Sequence, residues 1–269
     1  MPKTPITYYG GKLNLLSEIL PLIPKHSIYT EAFFGGGAVF FAKEPVESEI
    51  INDTNNMVVN FYEVVKTDFD WLKTRIQATP FSRATYNVAL TIYRMPHLFN
   101  KKQQAWAFYV GTNFGFACQI GSWGYDKYGK QAKKLLNKKM NFNKDIFKRL
   151  ESTQIECNDA CKVIKARDSV DTFHYIDPPY FNSCQSFYSG YSEKHFEQLL
   201  TTLESIEGKF LLSSYPSEIL TKYIEKKGWH SKQFDKPLSA KKSIAGEKRK
   251  RKTEVLTANY SLSEIRQYE

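Results

Sequence analysis

Short apolar runs bounded by polar turns alternate along this chain with longer stretches in which apolar residues recur at helical spacing. Residues 27–33 read as a strand, 34–37 as a glycine turn (Phe34-Gly35-Gly36-Gly37) and 38–41 as the start of a helix. A second apolar run, Glu49-Ile50-Ile51-Asn52, ends at Asp53. After Glu151 the rhythm returns with a strand at 153–157, a short helix from Ala160 to Arg167, and the run Phe173-His174-Tyr175-Ile176, which reads as a buried strand. A helix at 193–207 and a strand at 209–214 follow. The alternation predicts an α/β fold with a mainly parallel sheet flanked by helices.

Residues 58–149 differ, being mostly helical in pattern and rich in aromatic, Lys and Asn residues. They read as an insertion, with a catalytic domain expected at 1–60 and 150–269 and an inserted domain at 61–149. Two of its segments, 111–116 and 121–130, combine glycines with aromatic and polar side chains, among them Asn113, Trp123, Tyr125 and Lys127. Such loops read base edges or wedge between bases. An aromatic mini-core with glycine turns is the competing reading.

Length and charge narrow the class. At 269 residues the chain exceeds the roughly 100–200 residues typical of one domain, which agrees with a domain carrying a large insertion. No uninterrupted apolar stretch approaches the roughly 20 residues needed to cross a bilayer, and the N-terminus lacks the apolar core of a signal peptide. A soluble protein of the reducing cytoplasm is expected. Cys157 and Cys161 are followed by no second cysteine pair or close histidine pair, so no metal is expected. The formal charge of +10 favours a polyanionic partner, with nucleic acid foremost. Between Lys236 and Lys252 the chain is strongly basic, and Lys248, Arg249, Lys250, Arg251 and Lys252 can follow a phosphate backbone. A solvated loop is the alternative.

The chemistry concentrates at Asp177-Pro178-Pro179-Tyr180, directly after the 173–176 run. Prolines have fixed φ and no N–H, and a residue before proline is pushed toward extended geometry, so Asp177 and the Pro178 carbonyl form a rigid pair of acceptors. Two acceptors match the two hydrogens of one NH2 group. Tyr180 adds a flat face on which a base carrying that amine can stack. A plain Pro-Pro turn is the alternative. The strand, glycine turn and helix at 27–41 begin as a nucleotide-type cofactor loop does, and Asp53 lies about 20 residues further on, where a second-strand carboxylate reaches ribose hydroxyls.

Four features stand in one order: Tyr8-Tyr9-Gly10-Gly11-Lys12, Glu31-Ala32-Phe33-Phe34-Gly35-Gly36-Gly37, Ile51-Asn52-Asp53-Thr54-Asn55, and Asp177-Pro178-Pro179-Tyr180. This arrangement resembles the Dam-type family of adenine-specific (N6) DNA methyltransferases. The resemblance implies a Rossmann-like S-adenosylmethionine-dependent methyltransferase fold with an inserted, mainly helical target-recognition domain. It implies S-adenosylmethionine as cofactor and double-stranded DNA as partner, with a cognate restriction endonuclease as a further one. Gly35 and Gly37 would then let the backbone approach the cofactor, with Phe33 beside it, and Asp53 would accept from its ribose hydroxyls. Tyr8, Gly10, Gly11 and Lys12 would close over the methionine end, and Asp177 would border both cofactor and target amine. Asp159 and Ala160, in the Asn158-Asp159-Ala160 turn, would hold the adenine ring; a helix cap competes for that turn.

Rival readings are a methyltransferase acting on RNA or a protein amide, a DNA-binding relative without catalysis, and a nicotinamide-dependent oxidoreductase. The last leaves the proline tetrapeptide unexplained. A monomer is the default expectation, since methyl transfer needs no second subunit.

Overall fold

The computed structural model describes residues 3–115, 120–124, 128–181, 190–237 and 251–262. In chain order the elements begin with α1 (Leu16–Ile19), β1 (Ile28–Glu31), α2 (Ala38–Ala42) and β2 (Ser48–Asn52). Helices α3 (Asn56–Thr67), α4 (Phe69–Ala78), α5 (Arg83–Arg94), α6 (Lys101–Phe114), α7 (Lys130–Asn141) and α8 (Lys144–Leu150) follow. The chain continues with β3 (Gln154–Glu156), α9 (Ala160–Ala166), β4 (Thr172–Ile176), α10 (Glu193–Glu204) and β5 (Lys209–Ser214). It closes with α11 (Glu218–Lys227), β6 (His230–Pro237) and β7 (Arg251–Ala258).

The strands take the order β3-β2-β1-β4-β5-β7-β6 in a seven-stranded sheet. Pairing is parallel for β2 with β3, β1 with β4 and β4 with β5, and antiparallel for β5 with β7 and β6 with β7. This is the doubly wound order 3-2-1-4-5-6 of nucleotide-binding folds with an antiparallel strand set between the last two. The α/β, Rossmann-like class expected from the sequence is therefore present. The closing β6–β7 pair is the part that apolar patterning did not predict. Residues 230–233 are solvent-exposed and polar and Phe234 is buried, so β6 rests mainly on its ladder to β7 and on that one ring.

By packing, the chain forms two compact units, Met1–Leu16 with Phe34–Pro45 and Glu49–Asn158, and Ser17–Phe33 with Val46–Ser48 and Asp159–Glu269. The first is built on rings. Phe61, Tyr62, Phe108, Tyr109 and Phe142 are each at most 1% exposed, and Phe69 stacks on Phe142 with centroids 5.3 Å apart. Each buried ring contributes about 1.5–3 kcal/mol, which explains how a Lys- and Asn-rich segment holds a core. Its helices start where side chains satisfy free N–H groups: Asn55 caps α3, Ser82 caps α5, and Asn100 with Gln103 forms a capping box on α6. The carboxylate of Glu49, buried on β2, is shared by Lys43 (2.6 Å) and Arg149, whose guanidinium lies over Phe40.

In the second unit β4 is buried at every position, as a strand covered on both faces must be. Its core joins Ile176, Leu199, Phe210, Leu212 and Trp229. Glu31 pairs with Tyr175, so the carboxyl ends of β1 and β4 lie level, at the point where the strand order reverses. Open α/β sheets bind ligands outside such ends.

Candidate active site

In the first unit the glycine turn is held by its own neighbours. Phe34 N–H donates to Asn52 O (2.9 Å) and Gly37 N–H to Phe34 O (2.7 Å). Gly35 and Gly37 have φ of +47° and +63°, which L side chains adopt only with strain. A Cβ on Gly35 would sit 2.7 Å from Tyr8 Cδ1, and one on Gly37 would collide with the Phe34 ring. The space these glycines leave is thus occupied by Tyr8 and Phe34.

Asp53 leaves the end of β2 and braces that turn. Its Oδ2 accepts from Gly35 N–H and its Oδ1 from Asn55 N–H, each at 2.8 Å. Burial raises its pKa, and the two N–H bonds oppose the rise. Asn55 hydrogen-bonds the hydroxyls of Tyr8 and Tyr93 as well; burial first, then the Asp53 charge, raises the pKa of the Tyr8 hydroxyl. Tyr93, on α5, joins this cluster although nothing in its local sequence signalled it. Lys12 is buried, not a surface lysine, and donates to Gly10 O at 2.9 Å; Gly10 has a φ of +78°, and Gly11 N–H closes the turn onto Tyr8 O.

In the second unit Asp177 follows β4 and is half-buried, Pro178 is buried, and Pro179 and Tyr180 are half-buried. The Tyr180 hydroxyl lies 2.8 Å from Glu254 Oε2, 2.9 Å from Ser213 Oγ and 3.5 Å from Asp177 Oδ1. Its ring meets Tyr215 edge-on with centroids 4.2 Å apart. Burial, then Asp177 and Glu254, holds the Tyr180 hydroxyl far above its usual range; for Tyr175 the causes are burial, then Asp177, Glu31 and Glu254. Three carboxylates, from β1, the end of β4 and β7, therefore surround these hydroxyls. Such a field favours a group that gains positive charge.

Also in the second unit, Phe33 meets Tyr191 edge-on at 6.3 Å and Ala160 is buried in the same core. Asp159 is the N-cap of α9, accepting from Lys162 N–H at 3.0 Å. The turn is therefore a helix cap. The Tyr191 hydroxyl is buried with no hydrogen-bond partner among the described residues, and burial, then Cys161 and Asp159, raises its pKa.

The sequence that builds these sites has known relatives. The family model of the D12 class N6 adenine-specific DNA methyltransferases covers residues 8–237, from the Tyr8 turn through the tetrapeptide. The chain belongs to this family. A DNA N-6-adenine-methyltransferase of Escherichia phage P1 is 27% identical over 258 residues, 88% of this chain and 32% of that protein. The type II methyltransferase M1.LlaDCHI of Lactococcus lactis subsp. cremoris is 43% identical over 58 residues, 21% of this chain and 20% of that protein. Modification methylase StsI of Streptococcus sanguinis is 35% identical over 65 residues, 24% of this chain and 10% of that protein. The chain spans about a third of the length of its phage relative, and less of the other two.

The residues expected to contact DNA have the following surroundings. Asn113 is spent inside the protein: its Oδ1 accepts from Thr7 N–H (3.2 Å), the Thr7 hydroxyl and Lys138 Nζ, and its Nδ2 donates to Pro5 O. Trp123 is half-buried and stacks on Phe81 (4.8 Å) beside Tyr86 and Arg83. Lys252 is half-buried and donates to the Tyr215 hydroxyl at 2.7 Å. Tyr125, Lys127, Lys248, Arg249 and Lys250 lie outside the described residues, and of Arg251 only the backbone, opening β7, is described. A basic surface that pattern reading overlooked is α7, with five lysines and no acid. Lys133 and Lys134 are exposed there while Leu135 faces the core. No group of His, Cys, Asp and Glu able to hold a metal occurs among the described residues, and none of the described helices is long and apolar enough to cross a membrane.

Proposed function

We propose that this protein is a site-specific DNA adenine N6-methyltransferase that uses S-adenosylmethionine. The observation that carries the proposal is the Asp177-Pro178-Pro179-Tyr180 segment leaving β4 with its tyrosine fixed among carboxylates, in a chain of the D12 class. Residues 61–149 act as the target-recognition part, and α7 contributes to holding the duplex by its phosphates. Two relatives bear the names type II methyltransferase and modification methylase, which supports a cognate endonuclease as partner, with this chain working as a monomer.

The residues fit the methyl donor. Asp53 spends one N–H contact per carboxylate oxygen, and each oxygen retains a lone pair for a ribose hydroxyl. The unpartnered Tyr191 hydroxyl, beside Phe33 and Asp159, suits the polar edge of a purine. Tyr8, Gly10, Gly11 and Lys12 form the turn that covers the donor's methionine end, and the Gly35 to Gly37 backbone of the same unit approaches it. When bound, the donor supplies an electrophilic methyl group on a sulfonium.

The protein's own residues handle the acceptor. The adenine amino nitrogen is a weak nucleophile because its lone pair is delocalised into the ring. Asp177 and the Pro178 carbonyl accept its two N–H bonds, which favours the pyramidal nitrogen and stabilises the positive charge that grows on it. Pro179 keeps this pair rigid. A base inside a duplex cannot reach such a site, so it is flipped out at a cost of a few kcal/mol, and Tyr180 stacks on it.

The test is to express the protein and Asp177→Ala in cells lacking adenine methylation and to map N6-methyladenine in genomic DNA by direct sequencing. A motif modified only by the intact protein is expected, with transfer by the variant at least about 10²-fold slower in vitro while cofactor affinity is retained. Absence of the mark in both cultures, despite folded protein that binds S-adenosylmethionine, moves the substrate to RNA or protein and overturns the DNA reading.

A further inference from the structure

β7 enters the sheet between β5 and β6, antiparallel to both, with Ser213 opposite Leu256 and Ser214 opposite Val255. Side chains two apart on a strand share a face. Lys252 and Glu254 are such a pair, and each closes on a tyrosine. Lys252 Nζ donates to the Tyr215 hydroxyl at 2.7 Å and lies 4.6 Å from the centre of its ring. Glu254 Oε2 accepts from the Tyr180 hydroxyl at 2.8 Å. The two rings meet edge-on, so β7 clamps both sides of one aromatic pair.

A phenol has a single proton to donate, and two carboxylates face the Tyr180 oxygen. Glu254 is 2.8 Å away and Asp177 is 3.5 Å away. Ser213 Oγ, at 2.9 Å, carries its own proton and can donate to the phenol oxygen, whereas Glu254 is the nearest acceptor and is charged, so the proton belongs to Glu254. Were Glu254 absent, the acceptors left to the same hydroxyl would be Ser213 Oγ at 2.9 Å and Asp177 Oδ1 at 3.5 Å, and the second is the acceptor that the target amine needs. The Tyr180 hydroxyl remains protonated throughout the working pH range because burial and the two carboxylates disfavour its anion.

We propose that Glu254 is a positioning residue for methyl transfer: by taking the Tyr180 proton it fixes the ring that stacks on the flipped base and keeps that hydroxyl off Asp177. The proposal rests on the reading of Asp177 and Tyr180 given above, and it adds a residue 74 positions from the tetrapeptide that no local motif marks.

The experiment is a set of single-turnover rates on a duplex carrying the mapped motif, for the intact protein, Glu254→Gln, Glu254→Ala, Tyr180→Phe and the Tyr180→Phe/Glu254→Ala double variant. Cofactor affinity and the fluorescence of 2-aminopurine at the target position are measured on each. A glutamine carbonyl accepts the same hydrogen bond, so Glu254→Gln should stay within about 3-fold of the intact rate. Glu254→Ala should be slower by about 10-fold or more, with cofactor affinity within about 2-fold and weaker 2-aminopurine emission, since one charge-assisted bond is lost. The double variant should be no slower than the worse single one, because both changes remove one interaction.

Equal losses in the glutamine and alanine variants, or a double loss equal to the product of the single losses, overturn the proposal. A mutant cycle on the urea midpoint of the same proteins reports the Tyr180 to Glu254 bond without any substrate, and zero coupling there also overturns it. Coupling in the urea cycle together with no methylation of DNA by the intact protein would instead overturn the DNA reading on which the rate predictions rest.

Discussion

Gly35→Ala tests whether the glycine turn is shaped by the protein's own ring before any cofactor arrives. At a φ of +47° an L side chain costs about 1–2 kcal/mol in backbone strain. The added Cβ would also stand 2.7 Å from Tyr8 Cδ1 and 3.1 Å from Cε1, which forces the ring aside. Displacing a packed side chain costs about 1–3 kcal/mol. The total of roughly 2–5 kcal/mol corresponds to a loss of about 30-fold or more if it falls on the conformation that receives the cofactor. Calorimetric titration with S-adenosylmethionine and urea denaturation of the same samples give the two readouts. Tyr8→Ala in the same chain removes the collision and leaves the backbone strain, so the double variant should regain about 1–3 kcal/mol relative to the sum of the single losses. Strict additivity would refute the packing of Tyr8 on Gly35. An unchanged affinity and urea midpoint in Gly35→Ala would refute the strained-turn argument as a whole.

Two further outcomes follow from features away from the tetrapeptide. His174 is fully buried on β4 with Nδ1 2.6 Å from the Thr30 hydroxyl, and burial, opposed by Asp168, lowers its pKa to about 4. Below the unfolded value of 6.5 the unfolded chain takes up a proton that the native site refuses, so stability falls as pH drops from 6.5 towards 4, by roughly 3 kcal/mol in full. Urea midpoints across that range should show this component reduced in His174→Gln, and identical pH dependence in both proteins would exclude it. Lys133→Glu with Lys134→Glu on α7 should weaken binding to duplexes of any sequence and flatten the dependence of log affinity on log salt by roughly 2, a slope that stays put if α7 never meets phosphate.

The sequence by itself determined what short segments can encode. The glycine turn between β1 and α2, the carboxylate at the end of β2 and the proline tetrapeptide after β4 are local signals. Positive φ demands glycine, proline fixes its own φ, and a strand buried on both faces demands a continuous apolar run. The helical character of 58–149 was legible for the same reason, since period and capping residues lie within one or two turns of each other.

Only the tertiary structure decided who meets whom. Asn113 resembled a base-reading amide until Thr7, 106 residues away, took its carbonyl. Trp123 is half-buried against Phe81 and Tyr86. β6 carries no apolar run and forms because β7 supplies its hydrogen bonds, and β7 then delivers Lys252 and Glu254 to two tyrosines of other segments. A polar side chain's role depends on the one partner that desolvates it, and that partner is fixed by the closure of the sheet, which no local periodicity records.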